Sequence, residues 1–320
     1  MRKRRSKKNN KIVATGIVLT IILLLVLLGI NDNTITNFIN ISKVNTTAKN
    51  SDTVKTTNET IMEEKLSVYF IDVGQADSIL VINKDEAMLI DAGNNEDGQD
   101  VTSFIKEKGI TKLNYVIGTH PHEDHIGGLD DVINSDIEIE NVFMPKIQTN
   151  TRTFEDVLDA VENKNLSITA PNKGDNFKIG ESNCQVMTDS ILDKNNLNLS
   201  SVVIRLEYGN NSFLFMGDSE EENEKTMIWP KTDVLKVGHH GSNTSTSESF
   251  LNQVRPDYAV IMVGKSNNYG LPKERIIERL KNVNAQIYRT DERGTIKITS
   301  DGNNIEVYEN TWQFAIIKLK

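Results

Sequence analysis

The chain has 320 residues, with 38% hydrophobic and 25% charged side chains, a composition that fits one large or two small globular domains and excludes fibrous and wholly disordered classes. Its 36 basic and 45 acidic residues give a net charge of −9, but seven of the basic residues fall in the first 11 positions. The rest of the chain carries 29 basic against 45 acidic residues, a balance of −16 that offers no footprint for tight, non-specific nucleic-acid binding.

Arg2, Lys3, Arg4, Arg5, Lys7, Lys8 and Lys11 precede an uncharged run, residues 12–30, rich in Ile, Leu and Val. A bilayer core is crossed by ~20 residues at ~1.5 Å rise each. The run has no polar face, as a buried core helix at a surface would need, and no small-x-small cleavage site follows it cleanly. The expectation is an uncleaved signal anchor, with residues 1–11 as a basic cytoplasmic tail and the remainder extracellular, on a single-pass protein of the cell membrane. Residues 31–64 are rich in Asn, Thr, Ser and Lys and read as a flexible linker. The folded domain is expected over 65–310, with 311–320 as a C-terminal tail.

Apolar alternation predicts a strand over 65–71 and two more over 78–82 and 87–90, separated by the polar turn Asn83-Lys84-Asp85-Glu86. Asp72, Gln75 and Asp77 fall in the turn after the first strand, and Asp91-Ala92-Gly93 follows the third. Residues 100–108 have helical spacing and end at Gly109. Residues 114–117 read as a buried strand. It runs straight into Gly118-Thr119-His120-Pro121-His122-Glu123-Asp124-His125-Ile126-Gly127-Gly128-Leu129, which holds three of the five histidines. Two histidines at i and i+2 in an extended loop can face one metal ion, and an Asp-His pair just after them can face another. Helices are expected over 129–133 and 154–162.

Further on, 201–207 and 211–216 form a hairpin around Tyr208-Gly209-Asn210, with Asp218 just past it. A strand over 234–237 leads to Gly238-His239-His240-Gly241-Ser242, where the other two histidines lie. Neither histidine segment reads as a helix interior. Strands at 259–262, 285–288 and 295–299 and a helix at 274–280 complete the pattern. The single cysteine, Cys184, cannot form an internal disulfide.

His120-x-His122-x-Asp124-His125 resembles the signature of the metallo-β-lactamase superfamily. The run from Phe70 through Asp72, Gln75 and Asp77 to Ser78 resembles its ComEC-type competence branch. So do Ile90-Asp91-Ala92-Gly93, Phe215-Met216-Gly217-Asp218, His239-His240-Gly241-Ser242 and Gly294-Thr295-Ile296, in the same order across 66–308. The resemblance implies an α/β fold, the four-layer αββα sandwich, with a metal site at the edge between two sheets.

It also implies two divalent ions, zinc first and manganese as the alternative. His120 and His122 would hold the first ion, and Asp124 and His125 the second. Asp218 would bridge them, and His239 or His240 would complete the second site. The His-Gly step favours His240 as the ligand, leaving His239 as an acid or phosphate-contacting group. Many members carry another histidine before the bridging aspartate. This chain has none between His125 and His239, and Leu271 stands where relatives often carry one. Asn198 and Ser201 are candidates to reach the site in its place. Asp72 and Asp91 are candidates to support the ligands, with Gln75 and Asp77 beside them, and Ser242 to donate to a phosphate.

The expected function is a membrane-anchored, extracellular hydrolase whose ion-activated hydroxide attacks a small or oligomeric phosphoester, a phosphodiester first. A non-catalytic module keeping the fold and a thioester or lactam hydrolase are the alternatives, because fold does not fix substrate.

Overall fold

Apolar residues on both faces of most strands already imply a sheet covered on each side. The computed structural model describes residues 65–189, 193 and 195–308. The expected cytoplasmic tail, anchor, linker and C-terminal tail lie outside these residues. Among the described residues, no helix is long and apolar enough to cross a membrane.

β1 (Leu66–Phe70), β2 (Ser78–Asn83) and β3 (Glu86–Ala92) form an antiparallel meander. The chain then alternates: α1 (Gly98–Glu107), β4 (Lys112–Ile117), the one-turn α2 (Glu123–Ile126), α3 (Leu129–Asn134), β5 (Glu138–Phe143), α4 (Arg152–Asn163) and β6 (Ile168–Thr169). β3 to β6 are parallel. A second meander follows, β7 (Asn176–Ile179), β8 (Ser182–Val186), β9 (Ile204–Tyr208) and β10 (Asn211–Phe215). α5 (Glu221–Glu224), β11 (Val234–Lys236), α6 (Glu248–Val254), β12 (Tyr258–Ile261), α7 (Glu274–Asn282) and β13 (Gln286–Arg289) then alternate, with β10 to β13 parallel. After α8 (Thr290–Arg293), β14 (Ile296–Ser300) pairs with β1 and β15 (Ile305–Tyr308) closes that edge.

The result is an eight-stranded sheet, β15-β14-β1-β2-β3-β4-β5-β6, and a seven-stranded sheet, β13-β12-β11-β10-β9-β8-β7. Three apolar cores show the layering. Leu66, Val68 and Phe70 of β1 and Met88 and Ile90 of β3 share one core with Phe213 and Phe215 of β10, so this core lies between the sheets. The alternate residues Ala87 and Leu89 pack with Phe104 of α1 and Val157 of α4. Leu214 of β10 and Ile261 of β12 pack with Phe250 of α6 and Ile276 of α7. Period-2 alternation in the strands thus feeds two cores at once, and the layers run α, β, β, α. Each large side chain buried this way contributes about 1.5–3 kcal/mol.

Helix ends follow local chemistry. Thr151 caps α4 by accepting from the Phe154 amide at 3.3 Å, and Phe154, Val157, Ala160 and Val161 form its buried face. α1 stops before Gly109, whose φ of +77° suits a residue without a Cβ.

Two departures from the sequence reading bear on the site. The strand expected over 201–207 begins only at Ile204, because the preceding residues turn to the histidine loop, where the Val202 amide donates to the Thr119 carbonyl at 2.9 Å. Asp124 and His125 lie within α2 rather than in an extended loop. Gly128 lets that turn press against β3, since a Cβ there would run into the Ala92 carbonyl.

Candidate metal centre

Parallel strands of both sheets end at one place, and the chemistry-bearing residues follow those ends. Such carboxyl-end clefts are where open α/β sheets hold ligands.

Asp91 ends the first sheet's contribution from β3. Its carboxylate accepts from the amide and the hydroxyl of Thr119, each at 2.8 Å, and lies 2.8 Å from His125 Nδ1. A proton on Nδ1 fixes the ring and leaves Nε2 to face the cleft. That Nε2 stands 3.2 Å from Asp218 Oδ1 and 4.0 Å from Asp124 Oδ2. His120 Nε2 lies 2.9 Å from His122 Nδ1, so the two rings direct nitrogens at a common point.

The second sheet supplies Asp218 after β10 and the histidine pair after β11. The Asp218 amide donates to Ser201 Oγ at 3.2 Å, and Ser201 Oγ is also 3.5 Å from His120 Nδ1. His239 and His240 both have left-handed backbone, with φ of +48° and +50°, an uncommon state for residues with a side chain. Their rings part company. His240 is buried, its Nδ1 is 2.9 Å from the Met262 carbonyl, and its Nε2 is 3.3 Å from Asp124 and 3.6 Å from Asp218. His239 is 24% exposed, with Nε2 3.6 Å from Asp218 Oδ2 and Nδ1 held by Thr244 Oγ1 at 2.9 Å and Glu220 Oε1 at 3.2 Å. The geometry therefore makes His240 the ligand candidate and leaves His239 at the cleft's partly exposed edge.

The donor set fits a divalent ion on two grounds. His125 Nε2, His240 Nε2 and Asp218 Oδ1 are buried without a well-aligned hydrogen bond, the first and last of them facing each other at 3.2 Å, and an unmet buried polar atom costs about 1–3 kcal/mol. They also converge: ligand atoms of His120, His125 and Asp218 lie within 4.8 Å of one another, as do those of Asp124, His125 and His240. Imidazole with carboxylate is the ligand chemistry of zinc, iron and manganese. His120 and His122 with Asp218 would hold one ion, and Asp124, His125 and His240 with Asp218 a second.

Charge in the cleft favours cations. Burial opposes a charged His125, yet the Asp218, Asp91 and Asp124 carboxylates outweigh it and hold the ring well above the usual histidine range. Burial likewise opposes an ionised Asp218, but His125, His240 and His239 keep it well below the usual carboxylate range. His120 and His122 are pushed down by burial, toward the neutral form that ligates.

The remaining expected residues spread outward. Asn198 donates to Glu220 Oε1 at 3.1 Å and lies 3.4 Å from both His239 ring nitrogens, so it reaches the His239 side rather than the His120 side. Asp77 lies behind His240, its Oδ1 3.4 Å from Nδ1. Gln75 accepts from the Gly264 amide at 3.1 Å and clamps a loop. The Asp72 carboxylate is spent on the Gly74 amide at 3.3 Å, within its own exposed turn, rather than on a histidine. Ser242 Oγ lies 3.2 Å from Thr244 Oγ1, on the hydroxyl that meets His239.

Three participants escaped the sequence reading: Thr119, Glu220 and Lys236. Glu220 takes amide donors from Asn196 at 2.7 Å and Asn198 at 3.1 Å. Burial pushes its carboxyl up, but hydrogen bonds from His239, Asn196, Asn198 and Thr244 bring it down to about 2. The one signal for Lys236 was a charge inside the apolar strand Val234-Leu235-Lys236-Val237.

The profile of the metallo-β-lactamase superfamily matches residues 71–265, which span both histidine segments and Asp218. The chain belongs to the metallo-β-lactamase superfamily. Within it the chain falls in the ComEC-type competence branch. It is 32% identical to ComE operon protein 3 of Bacillus subtilis over 252 residues, covering 72% of this chain and 32% of that protein. It is 29% identical to Recombination protein 2 of Haemophilus influenzae over 254 residues, covering 77% of this chain and 30% of that one. This chain thus spans about a third of the length of either relative. Among solved structures, the metallo-β-lactamase fold protein YhfI from Bacillus subtilis matches with a TM-score of 0.48 at 13% identity, over 70% of this chain and 95% of that one.

Proposed function

We propose that this superfamily member is a membrane-anchored, extracellular metal-dependent hydrolase of phosphoesters, with phosphodiesters, nucleic-acid fragments among them, as the first substrate class. The observation that carries the reading is the convergence of His120, Asp124, His125, His240 and Asp218 around buried nitrogens and an oxygen without aligned partners, with His122 Nδ1 2.9 Å from His120 Nε2. Two bound ions, zinc or manganese, would supply Lewis acidity toward a phosphoryl oxygen and a water acidified toward neutrality. The protein's own groups do the rest. Asp218 reaches both ligand sets and would keep the ions at one spacing. His239 presents Nε2 to the cleft while Glu220 and Thr244 hold its Nδ1, the arrangement of an oriented acid–base group. It would give a proton to the departing alkoxide, or steady a phosphoryl oxygen.

His122 is only partly buried and no histidine lies between His125 and His239, so an ion held by His120 and His122 would leave room for substrate oxygens. The acidic balance of the chain beyond its first 11 residues favours small or oligomeric substrates over tracking along a duplex. Anchoring rests on the basic cluster and on the 12–30 apolar run.

The test is a substrate panel on the purified full chain in zinc or manganese: bis-nitrophenyl phosphate, a short single-stranded oligonucleotide, a thioester and a β-lactam, with metal content measured in parallel. The expected result is about two ions per chain and turnover of the phosphodiesters. Turnover of only the thioester or lactam would overturn the substrate class, and a reproducible absence of metal would overturn the reading itself.

A further inference from the structure

An ionic layer lies behind the histidines. Lys236, the last residue of β11, has a fully buried side chain. Its strand neighbours are apolar, and an unpaired buried ammonium would be far too costly to keep. All of its partners belong to the cleft. Nζ pairs with Asp77 Oδ2, donates to the Gly217 carbonyl at 2.9 Å, and lies 3.8 Å from Asp218 Oδ1. Asp77 passes that contact on, with Oδ1 3.4 Å from His240 Nδ1 and Oδ2 3.8 Å from His125 Nδ1. The Asp77 amide also donates to the Asp124 carbonyl at 3.0 Å, and its carbonyl accepts from the Gly93 amide at 2.9 Å.

Four carboxylates, Asp77, Asp91, Asp124 and Asp218, crowd this small volume. Burial holds Asp77 above the usual carboxylate range, and Lys236 is the foremost group opposing that. Without bound ions, Lys236 is the one lysine or arginine that pairs with this cluster among the described residues.

We propose that Lys236 is a resident cation of the metal centre, a positioning residue that holds Asp77 and Asp218, and through them His240 and His125, in ligand geometry before any ion arrives. It does not ligate. It supplies positive charge that bound ions can partly replace, so the chain without Lys236 should depend on metal for its fold far more than the natural chain does. This inference rests on the metal-centre reading, though not on any particular substrate.

The experiment is thermal unfolding of the full chain in detergent, with chelator and with saturating zinc, for the natural protein, Lys236→Met and the double variant Lys236→Met/Asp77→Asn. Lys236→Met should lose about 10 °C or more in chelator, the scale expected when one partner of a buried pair is removed. Zinc should cut that loss to less than half. The double variant, which removes both charges, should recover most of the loss in chelator. A Lys236→Met chain that folds only with zinc is the same result in a stronger form. Equal losses with and without zinc would overturn the proposal, as would a double variant that fares no better than the single one. If the natural protein takes up no zinc, the metal-centre reading falls, and the chelator comparison of single with double variant still decides whether Lys236 serves Asp77.

Discussion

At the end of the first sheet, four metal-type ligands come from six consecutive positions, His120 to His125. The second sheet delivers its share from separate segments, Asp218 after β10 and the histidine pair after β11. The two ends are also braced differently. At the first end the Asp91 carboxylate ties the loop through Thr119 and His125, and the Val202 and Asp77 amides hold the Thr119 and Asp124 carbonyls. The second end depends on a relay of Lys236, the Gly217 and Met262 carbonyls, Glu220 and Thr244. A compact ligand loop is held by one carboxylate and a few backbone bonds, whereas ligands gathered from distant strands need a buried side-chain network to share a geometry.

That contrast can be broken most sharply at Asp218, where the two ends meet. Asp218→Ala should remove turnover of a generic phosphodiester by on the order of 10³-fold or more, because several kcal/mol of ion-derived stabilisation is lost with the bridge. The measurement is kcat at saturating metal, with circular dichroism confirming the fold. Wild-type turnover in this variant would mean the two ligand sets do not act as one centre.

A smaller effect separates the two adjacent histidines. His239→Ala should keep the metal content of the natural chain yet lower kcat by about 10²-fold, the low end for loss of an acid–base group. His240→Ala should instead lose one ion. Equal metal loss in both variants would contradict the division of roles set by their opposite surroundings.

The anchor of the first end gives the third comparison. Asp91→Asn keeps the side chain's shape but removes the charge behind His125. Zinc affinity, read by competition with a chelator, should fall about 10–100-fold, the usual effect of altering a ligand's supporting carboxylate. An unchanged affinity would leave Thr119 positioning as Asp91's whole role.

Much of the first end was legible in the sequence, and for a physical reason. Its ligands are contiguous, and its strands alternate cleanly, so β1 to β4 and α1 fell within a few residues of their expected bounds. The second end was legible only as isolated marks. Asp218 and His239-His240 stood out by residue type, and the His-Gly step favoured His240, but where each ring points depends on two left-handed residues that no propensity signals. Glu220 and Lys236 are ordinary charged residues until tertiary contacts bury them. Two of the strands missed altogether follow the same logic. β5 and β7 carry polar residues on partly exposed faces, as in Glu138, Glu140, Asn176 and Lys178, and their strand state comes from neighbours in the sheet rather than from an apolar pattern.

The smallest effect is expected at His122, and it tests whether the first end is as uniform as its sequence suggests. His122 caps α2 and is only partly buried, and its one side-chain hydrogen-bond contact among the described residues is His120 Nε2 at 2.9 Å. His125 is fully buried between Asp91 and Asp218. No histidine lies between His125 and His239, so a first ion held by His120 and His122 would leave positions that water can fill, and a water could take the place of a lost imidazole there. His122→Ala should therefore cost about tenfold or less in kcat at saturating zinc, with most of the deficit in affinity for one ion, whereas His125→Ala should approach the Asp218→Ala loss. The measurement is kcat across a zinc titration for both variants. If His122→Ala falls as far as His125→Ala even at the highest zinc concentration, the first ion is held as tightly by protein as the second, and the open coordination inferred from the missing histidine is wrong.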